Sequence, residues 1–321
     1  MTKGASRLIA ALTGLTVGGV FLVLAFRGTP PAAVWQLLHG GDWGLPAAIA
    51  LVSTAAFVLA KTARWRLLLG SPFDAGLAAL APPVLAGLAL NALVPHSGEF
   101  VRAVSLQRRC GRAPTAVLSS IVAERVFDLF GVLLLGAYAL GSVHASHEIA
   151  TALRLIGMVA GVLATLIVVA LAFPAVVTRA AGALVRPLTQ RVRAFVAAQV
   201  AAALVGLQPV RSLRISAAVL AWSIVQWLAV AGAVYGCAAV VGLAIDSSAT
   251  CLVVVGIVVA FLLPNAPGYA GSVQVAFLVT LRPLGVADEA ALAASVVYQL
   301  LMVLPLVVTG LACLRSSLTR A

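Results

Sequence analysis

Charged residues are scarce in this sequence. Asp, Glu, Lys and Arg make up 9% of its 321 residues, and only nine residues are acidic. Hydrophobic residues reach 63% and the mean hydropathy is +1.13, far above the values of soluble domains. This composition excludes a water-soluble globular protein. We expect an all-α integral membrane protein with a single membrane domain over residues 1–321.

Cysteines and recognisable catalytic motifs are also lacking. The four cysteines form no CxxC pair, so neither a zinc site nor a disulfide framework is indicated. The HASHE segment at residues 144–148 is more typical of a solvated loop than of a metal site. The sequence has no P-loop, nucleophile elbow or metalloprotease motif. We therefore expect no metal and no cofactor, and the sequence favours a protein that is not an enzyme.

Basic residues outnumber acidic ones and give a net charge of +12. They lie between apolar runs, where basic residues determine membrane topology and contact lipid headgroups. The positive charge therefore does not indicate a nucleic acid partner, and we expect none. Basic residues concentrate on the cytoplasmic side of membrane proteins. A cytoplasmic N-terminus leaves only Arg27, Arg154 and Arg282 outside. This predicts a multi-pass protein of the cell membrane with both termini in the cytoplasm.

Long apolar windows predict about six full spans, because a spanning helix needs roughly 20 apolar residues. Two other apolar stretches are rich in proline and glycine, which leave backbone groups unsatisfied at membrane depth. We interpret both stretches as re-entrant hairpins, although kinked full spans are an alternative. The full spans are predicted at residues 8–26, 44–63, 116–141, 153–174, 215–243 and 290–313. The hairpins are predicted at residues 75–107, broken by Pro82, Pro83, Pro95 and Gly98, and at 247–281, broken by Pro264, Pro267, Gly268 and Gly271.

The order of spans and hairpins is the same in both halves of the chain, with opposite orientation in the membrane. The pseudo-halves are residues 1–145 and 150–321, and residues 174–212 are predicted to form a cytoplasmic amphipathic linker. This segment either binds lipid headgroups in the interface or only connects the halves. Inverted repeats with broken helices near mid-membrane are a recurring plan of secondary transporters.

Charged residues cluster beside the first hairpin. Glu99 and Arg102 are three residues apart, and Glu124 and Asp128 are four apart, so each pair shares one face of a helix. This spacing predicts ion pairs between Arg102 and Glu124 or Asp128, and between Glu99 and Arg125. Ionisable residues at membrane depth are usually paired and often functional. The cluster is therefore either a set of structural ion pairs that hold the hairpin against the neighbouring span or a substrate site.

The motifs around this cluster resemble those of a known family. PHSGEFVR at residues 95–102 and AERVFD at 123–128 resemble the P-x-x-G-E-x-x-R and E-R-x-x-D signatures of the lysylphosphatidylglycerol synthase transmembrane-region family. PNAPGYAG at 264–271 resembles the second loop of that family. The resemblance covers nearly the whole chain and implies a flippase-like membrane module. Some members are fused to an aminoacyltransferase domain, whereas this chain resembles the stand-alone members.

The resemblance also suggests which residues bind substrate. The candidates are Pro95, His96, Gly98, Glu99, Arg102, Glu124, Arg125, Asp128, Pro264, Asn265, Pro267, Gly268, Gly271, Gln274 and Gln299. Gln274 and Gln299 depart from the family, which usually has Glu and Arg at these positions. Because a lone buried charge is costly, the loss of both charges predicts that the two glutamines face each other and share an amide hydrogen bond.

These observations favour a lipid flippase or lipid-binding transporter of the bacterial cytoplasmic membrane. Its substrate would be an anionic phospholipid or another lipid-linked polar headgroup, with the phosphate on Arg102 and Arg125. One alternative is a non-catalytic membrane partner of a separate lipid-modifying enzyme or glycosyltransferase. Another is an integral-membrane enzyme that acts on a lipid-linked substrate, in which Glu99 and His96 would provide the acid–base chemistry.

Overall fold

The chain folds into α-helices. The computed structural model describes residues 16, 18–70, 76–94, 97–111, 113–142, 147–261 and 266–319, and no strand occurs among them. The helices before residue 145 are α1 (Gly18–Phe26), α2 (Pro31–His39), α3 (Leu45–Leu69), α4 (Leu77–Leu93), α5 (Ser97–Cys110) and α6 (Pro114–Ser142). The later helices are α7 (His147–Ala172), α8 (Pro174–Leu184), α9 (Gln190–Leu207), α10 (Leu213–Val240), α11 (Ser247–Phe261), α12 (Ser272–Leu281), α13 (Asp288–Tyr298) and α14 (Leu304–Thr319).

Several of these helices can cross a membrane. Within the described residues, five segments are long and apolar enough, and α1 with α2, bent by 85°, would make a sixth. The five are α3, Leu153–Ala172, Gln190–Arg211, α10 and Asp288–Leu314. The predicted all-α integral membrane fold is therefore confirmed. Helix α6 has 29 residues, a sufficient length, but its centre carries three charged side chains.

The predicted linker at residues 174–212 is helical and forms α8, α9 and a 3₁₀ turn at Gln208–Arg211. No residue of α8 is buried, whereas α9 packs along α8 and α6. The sequence predicts a cytoplasmic location for the whole segment. Helix α9 with its 3₁₀ turn, however, is long and apolar enough to cross a membrane.

The first predicted hairpin corresponds to α4 and α5, which pack against each other, and its re-entrant path in the membrane stays a prediction. Pro82 and Pro83, however, do not break it, because α4 continues through both residues. A proline inside a helix leaves the carbonyl four residues earlier without its usual donor. For Pro83 that carbonyl belongs to Ala79, and it accepts a hydrogen bond of 2.9 Å from Nη1 of Arg109 on α5. The proline is thus tolerated because the second arm of the hairpin supplies the missing donor.

The second predicted hairpin is present as α11 and α12, which also pack against each other. Helix α11 is capped by Asp246, whose Oδ1 accepts a hydrogen bond of 2.7 Å from the Ala249 N–H. A 3₁₀ turn at Pro267–Tyr269 precedes α12, which ends at a further 3₁₀ turn, Arg282–Leu284. Most of α11 and α12 is buried, so this hairpin forms part of the protein core.

Helix packing follows the same pattern in both halves. Helix α3 packs against α10, α4 against α14, and α11 against α6. Two glycines permit close contact, because a side chain on Gly236 would meet the α3 backbone near Ala50, and one on Gly310 would meet Leu85 of α4. This is the packing expected if the halves are related by a pseudo-two-fold axis. The inverted orientation in the membrane stays a prediction.

A π-helical segment, Gln299–Val303, joins α13 to α14. In such segments the backbone hydrogen bonds join residues that are five positions apart instead of four, and the segments frequently occur at functional sites. Thr54 on α3 contacts the segment, since its Oγ1 lies 3.3 Å from the Leu301 carbonyl oxygen. Gln299 therefore begins an irregular stretch in which Met302 and Val303 are buried.

Candidate functional site

The tip of the first hairpin is held by close backbone contact. A Cβ atom on Gly98 would lie 2.0 Å from the Gly87 carbonyl oxygen on α4, so only glycine fits. Asn91 fixes the same tip, because its Oδ1 accepts a hydrogen bond of 2.7 Å from the Gly98 N–H. Its Nδ2 lies 3.3 Å from Oε1 of Glu99. The glycine of the first motif thus closes the hairpin and positions the acidic residue that follows it.

Glu124 on α6 is the centre of a buried ion network. Its Oε1 accepts hydrogen bonds from Lys61 Nζ at 2.5 Å and from Arg64 Nη2 at 2.9 Å, both on α3. Its Oε2 accepts one of 2.6 Å from Arg102 Nη2 on α5. The Glu124 side chain has no solvent exposure. One carboxylate therefore connects three helices.

Asp128, one turn further along α6, connects α3 to α10. Its Oδ1 accepts hydrogen bonds from Arg64 Nη1 at 2.6 Å and from Gln226 Nε2 at 3.0 Å. Arg64 also donates to Ser223 on α10, and Trp227 Nε1 donates to the Asp128 backbone carbonyl. Arg64 bonds both carboxylates of α6, so it is the cation most deeply embedded in the network.

The two arginines of the sequence motifs have different environments. Arg102 is buried at 4% exposure, and its guanidinium lies 4.1 Å from the centroid of the Trp65 ring. Arg125 has a side chain that is 47% exposed. It donates to Glu99 Oε1, and its Nη1 lies 3.8 Å from Asp128 Oδ2. Arg125 is therefore the accessible cation at the edge of the network.

The charges of the network do not balance. Four cations face three carboxylates, which leaves one positive charge in excess. Among the described residues, both donors and acceptors of the network have no hydrogen-bond partner: Arg64 Nε and Arg102 Nε are such donors, and Glu99 Oε2 and Gln226 Oε1 are such acceptors. An unpaired charge away from water is costly. The excess positive charge, rather than the hydrogen bonding, therefore favours one additional anionic group.

The tip of the second hairpin has an unusual backbone. Gly268, Tyr269 and Gly271 all have positive φ angles, of 72°, 58° and 83°. Within the described residues, Tyr269 is the only residue other than glycine with a positive φ, and its ring stacks on Phe261 with 4.0 Å between centroids. Positive φ is unfavourable for a bulky residue, and such strain is often found at binding sites.

Gln274 and Gln299 meet behind this tip. Gln274 Nε2 donates a hydrogen bond of 2.7 Å to Gln299 Oε1, as the sequence predicts. Gln274 Oε1 accepts from the Gly271 N–H at 2.8 Å, and Gln299 Nε2 donates to the Gly268 carbonyl at 3.1 Å. The amide pair therefore connects α12 to the π-helical segment and holds the strained turn.

The described part of the second hairpin tip lies against the first hairpin. The 3₁₀ turn Pro267–Tyr269 packs on α4, the first arm of that hairpin. Glu99, which pairs with Arg125, lies on the second arm, α5. We therefore treat the strained turn and the exposed edge of the ion network as one candidate site.

Sequence reasoning found part of this site. Both predicted ion pairs are present, Arg102 with Glu124 and Glu99 with Arg125. The sequence does not predict Lys61 and Arg64 as members of this cluster, but α3 extends to Leu69 and buries both side chains in the network. Four candidate residues lie outside the described residues: Pro95, His96, Pro264 and Asn265.

Asn91, Ser223 and Gln226 were missed altogether, although a signal was available. Each is a polar residue in an otherwise apolar helix, and Ser223 and Gln226 are three residues apart on one face. Within the described residues, no group of three or more His, Cys, Asp or Glu side chains could hold a metal ion.

Comparison with known proteins gives one result. A family model described as lysylphosphatidylglycerol synthase TM region matches residues 11–310. The chain belongs to this family. No curated protein and no solved structure shows a significant match. Membership of the lysylphosphatidylglycerol synthase transmembrane-region family indicates a multi-pass membrane protein related to lipid modification or transport.

Proposed function

We propose that this protein binds an anionic lipid between its two hairpin tips and transports the lipid headgroup across the membrane as a flippase. The lipid phosphate contacts Arg125, and the acyl chains remain in the bilayer. The observation that carries this proposal is the exposure of Arg125 at the edge of a network with one excess positive charge. A phosphate monoanion supplies the missing charge, and guanidinium groups bind phosphate well.

The sequence predicts that both Arg102 and Arg125 bind the phosphate, whereas this proposal assigns the phosphate to Arg125 alone. Arg102 is buried against Trp65 and bonded to Glu124, so it is not free to contact a ligand. We assign Arg102, Lys61 and Arg64 to holding the helices together. Arg125 can exchange Glu99 for a phosphate, and Glu99 then retains its contact with Asn91.

Proteoliposomes can test transport directly. Purified protein is reconstituted with a short-chain fluorescent anionic phospholipid, and movement between leaflets is followed by quenching with a membrane-impermeant reductant. We expect transport by the wild type and an at least tenfold loss for Arg125→Gln, because a charge-assisted hydrogen bond contributes about 1.5–3 kcal/mol. Equal rates in protein-free liposomes and with the wild type would refute a transport function.

We also propose that both termini are cytoplasmic and that α9 does not cross the membrane. Reporter fusions are expected to be external at Ala145 and Val286, and cytoplasmic at both Pro187 and Arg211. The last two positions flank α9. Opposite locations for Pro187 and Arg211 would show that α9 is a span, and a cytoplasmic reading at Val286 would contradict the inverted repeat.

A further inference from the structure

The excess positive charge of the ion network can be removed in two ways. A bound anion neutralises it, and so does the loss of a proton from one of the four cations, which are Lys61, Arg64, Arg102 and Arg125. Protonation of a carboxylate has the opposite effect, because it adds to the excess. Arginine does not lose its proton in proteins, whereas a buried lysine can. Lys61 is therefore the group of the network that can release a proton.

The hydrogen bonds around Lys61 allow it to be neutral. Within the described residues its Nζ makes one hydrogen bond, of 2.5 Å, to Glu124 Oε1. A neutral amine still has N–H groups, so it keeps this bond. The same oxygen accepts a hydrogen bond from Arg64, and Glu124 Oε2 accepts one from Arg102. Glu124 thus remains bonded to two guanidinium groups when Lys61 is neutral, and no carboxylate loses its last cation.

Lys61 is also the most accessible of the three cations bonded to Glu124. Its side chain is 7% exposed, compared with 4% for Arg102 and none for Arg64. The cation closest to the centre of the network is thus a guanidinium with a fixed charge, and the lysine lies further out. A proton can therefore reach or leave the Lys61 amine without disturbing the Arg64 bonds to both carboxylates of α6.

The charged groups around Lys61 lie on three helices and form one connected set of ion pairs. They are Arg64 on α3, Glu99 and Arg102 on α5, and Glu124, Arg125 and Asp128 on α6. Among the other elements packed against α3, α4 has no ionisable residue. The remaining ionisable residues of these elements have no ion pair with the set in the described part of the chain; they are Tyr138, Arg191, Arg193, Arg211, Arg214, Tyr235 and Cys237. The charge around Lys61 is therefore set by this network and by any anion bound at its exposed edge.

We propose that Lys61 takes up one proton when the lipid phosphate binds to Arg125 and releases it when the lipid leaves. The proton comes from water and adds to the lone pair of the amine, so the charge of the phosphate is matched and no bond between heavy atoms changes. Both states avoid an unpaired charge away from water. The inference rests on the proposed function, because it assumes a phosphate on Arg125. Lipid and proton occupy the network together, which makes a proton gradient a driving force for the proposed transport.

Calorimetric titration of the detergent-solubilised full chain with dioctanoyl phosphatidylglycerol tests this exchange. Titrations in buffers with different enthalpies of ionisation give the number of protons taken up for each lipid bound. The series extends from about pH 5 to about pH 10, the range in which buried lysines titrate. We expect the uptake to approach one proton for each lipid within this series. Over the same pH interval the affinity should fall about tenfold for each unit of rising pH, as linkage to one proton requires.

Two variants of Lys61 fix its charge in opposite ways. Lys61→Arg stays positive, so it should bind the lipid at every pH as tightly as the wild type does at low pH. Lys61→Met stays neutral, so it should bind as weakly as the wild type does at high pH. Neither should take up a proton, and either variant suffices if the other does not fold. Lys3→Arg is the matched control, because it makes the same chemical change near the N-terminus and should leave the proton uptake unchanged.

Lipid binding by the wild type without proton uptake at any pH of the series overturns the inference and leaves the proposed function intact. Uptake of about one proton that persists in Lys61→Arg or in Lys61→Met also overturns it, because another group then carries the proton. Absence of lipid binding by the wild type at every pH contradicts the proposed function itself, and the inference with it.

Discussion

Substitution of Glu124 by Gln is expected to lower the free energy of unfolding by about 3–5 kcal/mol, the usual cost of breaking a buried ion pair. Glu124 is fully buried and accepts hydrogen bonds from three cations. A glutamine has nearly the same shape but no charge. Lys61 and Arg102 would then lose the carboxylate to which they are bonded, and Arg64 would keep only that of Asp128. Thermal unfolding of the purified protein in detergent, followed by loss of helix, measures the change.

Two further variants separate the charge effect from a general effect of substitution. Glu289→Gln removes a carboxylate that is not buried, at the start of α13, and should change the free energy of unfolding by less than about 1 kcal/mol. Adding Lys61→Met to Glu124→Gln removes one unpaired cation and should recover part of the lost stability. If Glu124→Gln were as stable as Glu289→Gln, the network would not be structural.

Arg125→Gln is expected to reduce the affinity for an anionic phospholipid at least tenfold while the protein keeps its thermal stability. The reason is that Arg125 is half-exposed, and its loss leaves Glu99 bonded to Asn91. Arg102→Gln, in contrast, is expected to lower the thermal stability, because it removes one of the buried cations that are bonded to Glu124. Titration with dioctanoyl phosphatidylglycerol, together with thermal unfolding, reports both quantities.

The matched control for Arg125 is Arg282→Gln. Arg282 is also an exposed arginine paired with a carboxylate, that of Asp288, but it lies at the far end of α12. Its substitution should leave lipid affinity within twofold of the wild type. A similar loss for Arg282→Gln and Arg125→Gln would mean that the lipid responds to net positive charge rather than to a site.

The predictable parts of the site are those fixed by local spacing. Glu99 and Arg102 share a helix face, as do Glu124 and Asp128, so facing helices with opposite charges were expected to pair. The Gln274–Gln299 hydrogen bond is predicted for a different reason. The family usually has Glu and Arg at these two positions, and the replacement of both charged residues by glutamine indicates that the two side chains are in contact. In each case the sequence restricts the possible partners to a few residues.

The parts that could not be predicted depend on tertiary contacts. Lys61 and Arg64 follow an apolar run, and charges at that position usually mark the end of a span. Only the packing of α3 against α6 and α10 shows that they are buried. Pro82 and Pro83 were expected to break a helix, and the rescue of the Ala79 carbonyl by Arg109 involves residues 30 positions apart. Such contacts have no local signature.

The most direct test of the account is the effect of Glu99→Gln on lipid affinity. If Arg125 exchanges Glu99 for a lipid phosphate, then removing the carboxylate frees the guanidinium and should tighten the binding of dioctanoyl phosphatidylglycerol, whereas Arg125→Gln weakens it. The two substitutions break the same ion pair. If the Glu99–Arg125 ion pair only stabilised the structure, both substitutions would change lipid binding in the same direction. Equal weakening of lipid binding by Glu99→Gln and Arg125→Gln would therefore contradict a phosphate site at Arg125.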